Sequence, residues 1–310
     1  MGAGRALGLL LGVAADAVFG DPRRFHPVAA FGSSAAALEK RLHADSQAAG
    51  AAYTAVLVGG TVAAGVAVER LARRHWLTQA LATGVATWVV LGGHSLATEG
   101  TSMGRELADG DLEAARDRLP NLCGRDAARL DTTGMARATV ESVAENTSDA
   151  VVAPLFWGAV YGVPGLLGYR AANTLDAMVG HKSPRYLKFG WASARLDDLL
   201  NLLPSRLAAL LTVGGAPVVG GSASQALETW RRDASAHPSP NAGQVEAAFA
   251  GALEIRLGGR TVYSHGVEER PVLGHGRSPD SGHVTRAVEL SRVVGFGAGF
   301  LSAVIALFRK

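Results

Sequence analysis

Residues 48–68 read AAGAAYTAVLVGGTVAAGVAV, a run of 21 residues without a charged side chain. A helix needs about 20 apolar residues to cross the hydrocarbon core of a bilayer. The sequence ERLARRH follows directly at 69–75, and basic residues at the end of a span indicate its cytoplasmic side. This stretch therefore predicts a transmembrane helix.

Other parts of the chain repeat this apolar character. Residues 199–221 are the weakest of them as a span, because they contain Arg206, Pro204 and Pro217. We predict a mostly helical protein, all-α and polytopic, that forms a single integral membrane domain over 1–310. Its apolar segments are 3–20, 48–68, 76–98, 150–168, 199–221 and 288–308.

The composition agrees with this fold class and excludes other classes. Hydrophobic residues make up 48% of the chain and charged residues 18%, against a usual charged share of about 25%. The net charge is only +3 without a block of basic residues, so nucleic acid is not an expected partner. The single Cys123 excludes an intrachain disulfide and a cysteine-based zinc site. A soluble, alanine-rich helical protein remains an alternative.

The segment 150–168, AVVAPLFWGAVYGVPGLLG, is unusual because it holds two prolines and four glycines. Polar clusters flank it on both sides, and a straight span would separate them by about 30 Å. If the clusters form one site, the segment must be a broken or re-entrant helix. Such a break is tolerated where neighbouring helices or water satisfy the freed backbone groups.

The stretch ESVAENTSDAVVAPLF at 141–156 aligns three acids on one helical face. Glu141, Glu145 and Asp149 repel each other by roughly 0.2–0.5 kcal/mol per pair if the face is exposed. One interpretation is a solvated face with Arg137 one turn back in partial compensation. The other is a site for a divalent cation at the edge of the membrane, since hard cations take oxygen ligands.

Two more polar clusters border apolar segments. NTLDAMVGHKSPRYLKFG begins at Asn173, and ARLDDLLNLLPSRL spans 194–207. Ionisable residues are costly next to a membrane and are therefore more often functional. In the polar stretches we predict a helix at GDLEAARDRL capped by Asp111, and a helix around QVEAAFAGALEI that starts at the Asn241 turn; the rest of 222–287 is predicted as loop.

The motifs along the chain are, in order, GDPRRFHP, GRD, ESVAENTSDAVVAPLF, NTLDAMVG, FG, ARLDDLLNLLPSRL, SPNAG, GALEIRLGG and PVLG. In this order and spacing they resemble the adenosylcobinamide-phosphate synthase family of cobalamin biosynthesis. The resemblance runs from about Asp16 to the C-terminus, so the first apolar segment is expected to be retained rather than removed as a signal peptide. The chain departs from the family pattern at Ala177, where a small hydroxyl residue is expected, and near His181, where an aromatic is expected.

The resemblance implies a multi-pass enzyme of the cell inner membrane. Its expected reaction joins a propionate carboxylate of adenosylcobyric acid to the amine of aminopropanol phosphate, with ATP as co-substrate and Mg²⁺ as cofactor. Membrane lipid and other late enzymes of the cobalamin pathway are the expected partners. A membrane transporter or binder of a polar solute is the alternative, and it would predict inverted repeats that the sequence does not display.

The resemblance also suggests roles for individual side chains. The expected metal ligands are Glu141, Glu145 and Asp149, with Asp197 and Asp198 as the second choice. The expected catalytic residues are Asp176, His26, Asp197 and Asp198. His26 is as readily explained by a turn at His-Pro. Arginines and asparagines would bind phosphate and the amide rim of the corrinoid. The expected substrate-binding residues are Arg125, Asn146, Asn173, Lys182, Arg195, Asn201, Arg206 and Asn241.

Overall fold

The computed structural model describes residues 2–21, 26–263 and 266–309. Pro22 to Phe25 of the GDPRRFHP motif lie outside the described residues. The chain is mostly helical, as predicted. The helices are α1 Gly2–Phe19, α2 Pro27–Leu42, α3 Gln47–Ala72, α4 Trp76–Val90, α5 Gly93–Asp109, α6 Leu112–Arg118, α7 Thr132–Thr147, α8 Ala153–Tyr161, α9 Val163–Val179, α10 Trp191–Gly215, α11 Ala223–Asp233, α12 Ala242–Leu253 and α13 Ser281–Phe308; the strands are β1 Leu257–Tyr263 and β2 Gly266–Leu273.

Within the described residues, five helical stretches are long and apolar enough to cross a membrane, which supports a polytopic membrane protein. Large apolar side chains on these helices face outward, as in Val56 and Phe300, which are 60% and 68% exposed. Residues 191–219, the weakest prediction, qualify as a candidate span, whereas 150–168 do not. The stretches are Gly2–Phe19, Gln47–Ala72, Trp76–Asp109, Trp191–Val219 and Ser281–Phe308.

Contacts group the chain into two compact units, and the prediction of one integral domain stays a prediction. Unit 1 comprises Met1–Gly92, Asp149–Asn201 and Ala298–Lys310, and unit 2 comprises Gly93–Ser148 and Leu202–Gly297. In unit 1, α1 packs closely along α4. Gly4, Gly8 and Gly12 make this possible, since a Cβ on Gly8 would lie 2.5 Å from the Cβ of Thr83. Small residues four apart let two apolar helices approach in this way.

The apolar segment 150–168 is broken, as predicted. Helix α8 ends at Tyr161, and the following Gly162 has a φ of 72°, a conformation that favours glycine. Helix α9 then starts beside the buried carboxylate of Glu69 in α3, and the N–H of Val163 donates to that carboxylate over 3.0 Å. Arg5 donates to the same carboxylate over 3.0 Å and Gln79 over 3.2 Å. A side chain from another helix thus satisfies a backbone group that the break exposes.

Unit 2 contains the main departure from the predicted loop at 222–287. Helix α12 agrees with the predicted helix, but Ala223–Asp233, predicted as loop, form helix α11. After α12, β1 and β2 form an antiparallel hairpin, with Arg260 opposite Glu269 and an irregularity at Gly258. The β-branched and aromatic residues of TVY at 261–263 are the strand signal that the sequence analysis missed. Asp111 caps α6, since its Oδ1 accepts from the N–H of Ala114 at 3.1 Å, as predicted.

Candidate functional site

The acidic face of α7 is not a uniformly solvated surface. Glu141 is 2% exposed, its Oε1 accepts from the N–H of Gly258 at 2.7 Å, and its other oxygen pairs with the guanidinium of Arg125. Arg137 does not compensate this charge; it donates instead to the carbonyls of Gly258 and Arg260. Arg125, which was predicted to bind substrate, therefore forms a buried ion pair with Glu141, which was predicted to bind the metal.

Glu145 lies one turn further along α7 and differs from Glu141 in exposure. Its side chain is accessible to water, although protein atoms surround it densely. Burial raises the pKa of its carboxyl; Arg270 and Arg125 act in the opposite direction, and Glu141 adds to the increase. An accessible carboxyl in such surroundings belongs to a recess, and a perturbed acid in a recess is a candidate for chemistry or binding.

Two further ionisable groups of unit 2 join this cluster, and the sequence analysis did not select them. Glu246 of α12 is 2% exposed, and its pKa is raised well above the ordinary value by burial and by the nearby Glu141 and Glu145. His237 lies beside it, with 3.8 Å between His237 Nε2 and Glu246 Oε1. The signal in the sequence was a single acid inside QVEAAFAGAL, a helix whose other residues are mostly small or apolar. We call Arg125, Glu141, Glu145, His237, Glu246 and Arg270 the acid recess.

The side chains of the acid recess can be compared with the ligands that the expected Mg²⁺ needs. Among the described residues, no group of three or more His, Cys, Asp or Glu side chains could hold a metal ion. A metal bound with a nucleotide needs only one or two protein carboxylates, because phosphates and water supply the other ligands. Glu141 is engaged by Arg125, whereas Glu145 is accessible and fits that role. Asp149 lies in unit 1, and the three-ligand assignment stays a prediction.

A cavity of about 320 Å³ in unit 2 adjoins the backbone that binds Glu141. Arg137, Arg256 and Ser278 line it together with Gly258, the residue whose N–H donates to Glu141. Arg256 donates to the hydroxyl of Ser278 over 2.9 Å. Two arginines and a hydroxyl in one cavity are a suitable environment for an anionic group.

In unit 1, the two clusters NTLD and ARLDDLLN meet. Asp197 is 8% exposed; it accepts from Asn173 at 3.3 Å and from Asn201 at 2.9 Å. The hydroxyl of Tyr169 donates to Asn201 over 2.9 Å. Burial raises the pKa of Tyr169, and the charges of Asp149 and Asp197 raise it further. Asp149, which precedes the broken segment, and Asp197 therefore both act on the pKa of Tyr169, and the prediction that the flanking clusters form one site stays a prediction. We call Asp149, Tyr169, Asn173, Asp197 and Asn201 the amide network.

Two predicted residues form a separate contact in unit 2. Asn241 is 7% exposed, and its Oδ1 accepts from Ser205 at 3.3 Å and from Arg206 at 3.4 Å. Arg206 also donates to the carbonyl of Leu202 over 2.8 Å. This contact joins α10 to the turn before α12, which is a structural use of both side chains.

The remaining predicted site residues are not part of these clusters. His26 caps α2, with its Nδ1 accepting from the N–H of Val28 at 3.2 Å, which agrees with the turn interpretation. Asp198 lies 3.7 Å from Arg195, an exposed pair on one helix face. Asn146 donates to the carbonyl of Ser142 over 2.9 Å. Asp176 is half-buried near the end of α9, and Lys182 is exposed. Their roles in chemistry stay predictions.

Comparison with known proteins agrees with the resemblance drawn from the motifs. A family profile described as CobD/Cbib protein matches residues 9–291. The chain is 56% identical over 306 residues to the cobalamin biosynthesis protein CobD of Mycobacterium tuberculosis H37Rv, covering 99% of this chain and 97% of the relative. It is 42% identical over 294 residues to the CobD of Chromobacterium violaceum, covering 92% and 91%. No solved structure matches the chain. The protein thus belongs to the CobD/Cbib family of cobalamin biosynthesis proteins.

Proposed function

We propose that the protein forms the amide bond between adenosylcobyric acid and aminopropanol phosphate, or aminopropanol itself, in an ATP-dependent reaction at the cytoplasmic membrane. The observation that carries the proposal is the acid recess of unit 2, where buried acids and arginines lie together beside an arginine-lined cavity. An amide ligase must hold an anionic activating group and a cationic amine, and this combination suits both. The names of the relatives support the pathway.

The amide network suits the corrinoid. The rim of a corrinoid carries amide groups, which both donate and accept hydrogen bonds, and the half-buried Asn173 offers complementary groups. Asn201 is 1% exposed and supports Asn173 through Asp197. Asp197 orients both side chains by accepting from them. Substrate contacts of this kind position the reacting carboxylate, and positioning alone can supply about 7–11 kcal/mol of a barrier reduction.

The anionic part of the reaction suits unit 2. Arg137 and Arg256 lie in a cavity that would hold phosphate groups by charge-assisted hydrogen bonds. Glu145, whose side chain is accessible on α7, is our choice for a ligand of Mg²⁺. When bound, this metal would neutralise charge on the phosphates. Arg125 holds Glu141 in place and thereby fixes Gly258 at the edge of the cavity.

The test uses protein in membranes or detergent, supplied with adenosylcobyric acid, aminopropanol phosphate, ATP and Mg²⁺. The corrinoid product is identified by mass and ADP release is measured in parallel. We expect product from wild type with ADP in proportion. Glu145→Gln should raise the Mg²⁺ concentration needed for half-maximal rate, whereas Glu113→Gln on the exposed face of α6 should not.

Each outcome has a separate meaning. Product from wild type with an unchanged Mg²⁺ requirement in Glu145→Gln would retain the ligase and discard Glu145 as a ligand. Wild-type membranes that make no amide with either amine, but that bind or move the corrinoid, would refute the proposed function and favour the transporter or binder.

A further inference from the structure

The two polar segments that precede α3 and α10 meet in unit 1. One is the end of α2, which leads into α3, and the other is the loop 181–190, which leads into α10. Lys188 donates to the carboxylate of Asp45 over 2.7 Å, and Arg185 donates to that of Glu39 over 2.9 Å. Both α3 and α10 begin candidate membrane spans, so the starts of two spans are held next to each other.

The first turns of α3 and α10 also pack directly against each other. Gly50 of α3 has no room for a Cβ, because the carbonyl group of Phe189, just before α10, occupies that place. The hydroxyl groups of Thr54 and Ser193 share a hydrogen bond of 2.8 Å, and both residues are buried. This packing fixes the depth of one span relative to the other, so the segments just before them lie at one level of the membrane surface.

Exposed basic side chains flank the starts of these two spans. We call them the basic collar, and they are Lys40, Arg41, Lys182, Arg185 and Lys188. They include three of the four lysines of the chain. The two acids of the same segments pair with Arg185 and Lys188, which leaves a charge of +3. Since the whole chain has a net charge of +3, its excess positive charge is concentrated at the basic collar.

Large apolar side chains are exposed between the basic ones. Leu187 is 62% exposed and Trp191 is 46% exposed. A free phosphate or a nucleotide phosphate gains nothing from an exposed leucine. A phospholipid offers an anionic headgroup and, directly below it, hydrocarbon, and tryptophan is enriched at this boundary. Basic and apolar side chains next to each other at the start of a span therefore match the surface of an anionic bilayer.

We propose that the basic collar binds the phosphate headgroups of anionic phospholipids, with Leu187 and Trp191 lying among the upper parts of the acyl chains. The inference goes beyond the proposed function, and none of its observations depends on amide formation. Phosphate oxygens accept charge-assisted hydrogen bonds from lysine and arginine. The basic collar lies at the opposite end of α3 from ERLARRH at 69–75, so the test uses vesicles with the same lipids in both leaflets.

The experiment measures fluorescence quenching in the full-length protein, reconstituted into phosphatidylcholine vesicles with an increasing share of phosphatidylglycerol. Either lipid carries bromine on its acyl chains, because bromine quenches a tryptophan that lies next to it. The chain has five tryptophans, and the quenching lost in Trp191→Phe is the part that belongs to Trp191. We expect brominated phosphatidylglycerol to quench Trp191 more than brominated phosphatidylcholine at equal content, and this preference to decrease as salt screens the charges.

Variants of the basic collar test the role of charge. Lys40→Gln combined with Arg41→Gln should lower the apparent affinity for phosphatidylglycerol about 10–30-fold at low salt. The matched control, Arg129→Gln combined with Arg231→Gln, removes two exposed positive charges of unit 2 and should leave the affinity unchanged. Lys40→Arg combined with Arg41→Lys retains both charges and should behave like wild type.

Several results would overturn the proposal. They are an equal quenching of Trp191 by both lipids in wild type, an equal loss in the control double variant, and a loss in the variant that retains both charges. Soluble glycerol phosphate should not displace the lipid; displacement at the same concentration would indicate a site for free phosphate instead. Leu187→Ser should weaken quenching by both lipids, since it removes only an apolar contact. All measurements are made without ATP or corrinoid, so failure of the proposed function would not affect them.

Discussion

Removing the charge of Glu69 gives the sharpest test of how unit 1 is held together. The Glu69 carboxylate is 3% exposed and Arg5 is 10% exposed, at 3.0 Å from each other. In Glu69→Gln the amide oxygen can still accept from Val163, but the buried guanidinium of Arg5 loses its counter-charge. Breaking a buried ion pair from one side costs about 3–5 kcal/mol, a large share of a typical stability of about 5–15 kcal/mol.

The assay is denaturant unfolding in detergent micelles, followed by far-ultraviolet circular dichroism. Glu113→Gln, the same change at an exposed position, should stay within about 0.5 kcal/mol of wild type. The double variant Arg5→Met with Glu69→Gln leaves no buried charge in this pair, so it should recover at least half of the loss. A cost below about 1 kcal/mol for Glu69→Gln, or a double variant no more stable than the single one, would refute the reasoning.

Three further predictions concern stability and its pH dependence. Gly8→Ala should destabilise by about 1–3 kcal/mol, because the new Cβ would meet a threonine at 2.5 Å; Gly59→Ala, where the Cβ has open space, should be neutral or stabilising in the same unfolding assay. Tyr169→Phe leaves the buried oxygen of Asn201 without its donor and should cost about 1–3 kcal/mol, and an unchanged unfolding midpoint would contradict the hydrogen bond. Burial alone would raise the pKa of Glu39, but its arginine and tyrosine partners outweigh that effect and lower the pKa. The contribution of Glu39 to stability is therefore present above its pKa of 4.5 in the unfolded chain, and it is lost as the pH falls through its lower pKa in the folded protein. Glu39→Gln should therefore reduce the loss of stability that wild type shows as the pH falls into the acid range.

The sequence predicted those features that depend on local patterns. Long apolar runs identified most of the candidate spans, and the prolines and glycines of 150–168 identified the break, because both effects arise within a few residues of chain. The association of Asn173 with Asp197 and Asn201 could also be predicted from the sequence, because both motifs adjoin apolar helices and both are rich in amides and acids.

Side-chain contacts between residues far apart in the sequence could not be predicted from it. The counter-charge of Glu141 is Arg125 rather than the nearby Arg137, and nothing in the helical spacing distinguishes the two arginines. Glu246 was missed because a single acid in a helix is most often a solvated residue; its burial depends on β1, β2 and α7 packing around it. The hairpin itself was missed because the richness of 222–287 in Gly, Pro, Ser and His was interpreted as loop outside one helix, whereas Gly258 is an irregularity within a strand.

The broken segment also has a consequence for biogenesis. Arg5 is synthesised 64 residues before Glu69, so at about 5–20 residues per second its counter-charge follows roughly 3–13 s later. During that interval the first helix carries an unneutralised guanidinium, and the amide of Val163 that completes the arrangement is made later still. The ion pair that fixes the first helix against the third therefore forms only after the third helix has been translated, although the first helix leaves the ribosome first.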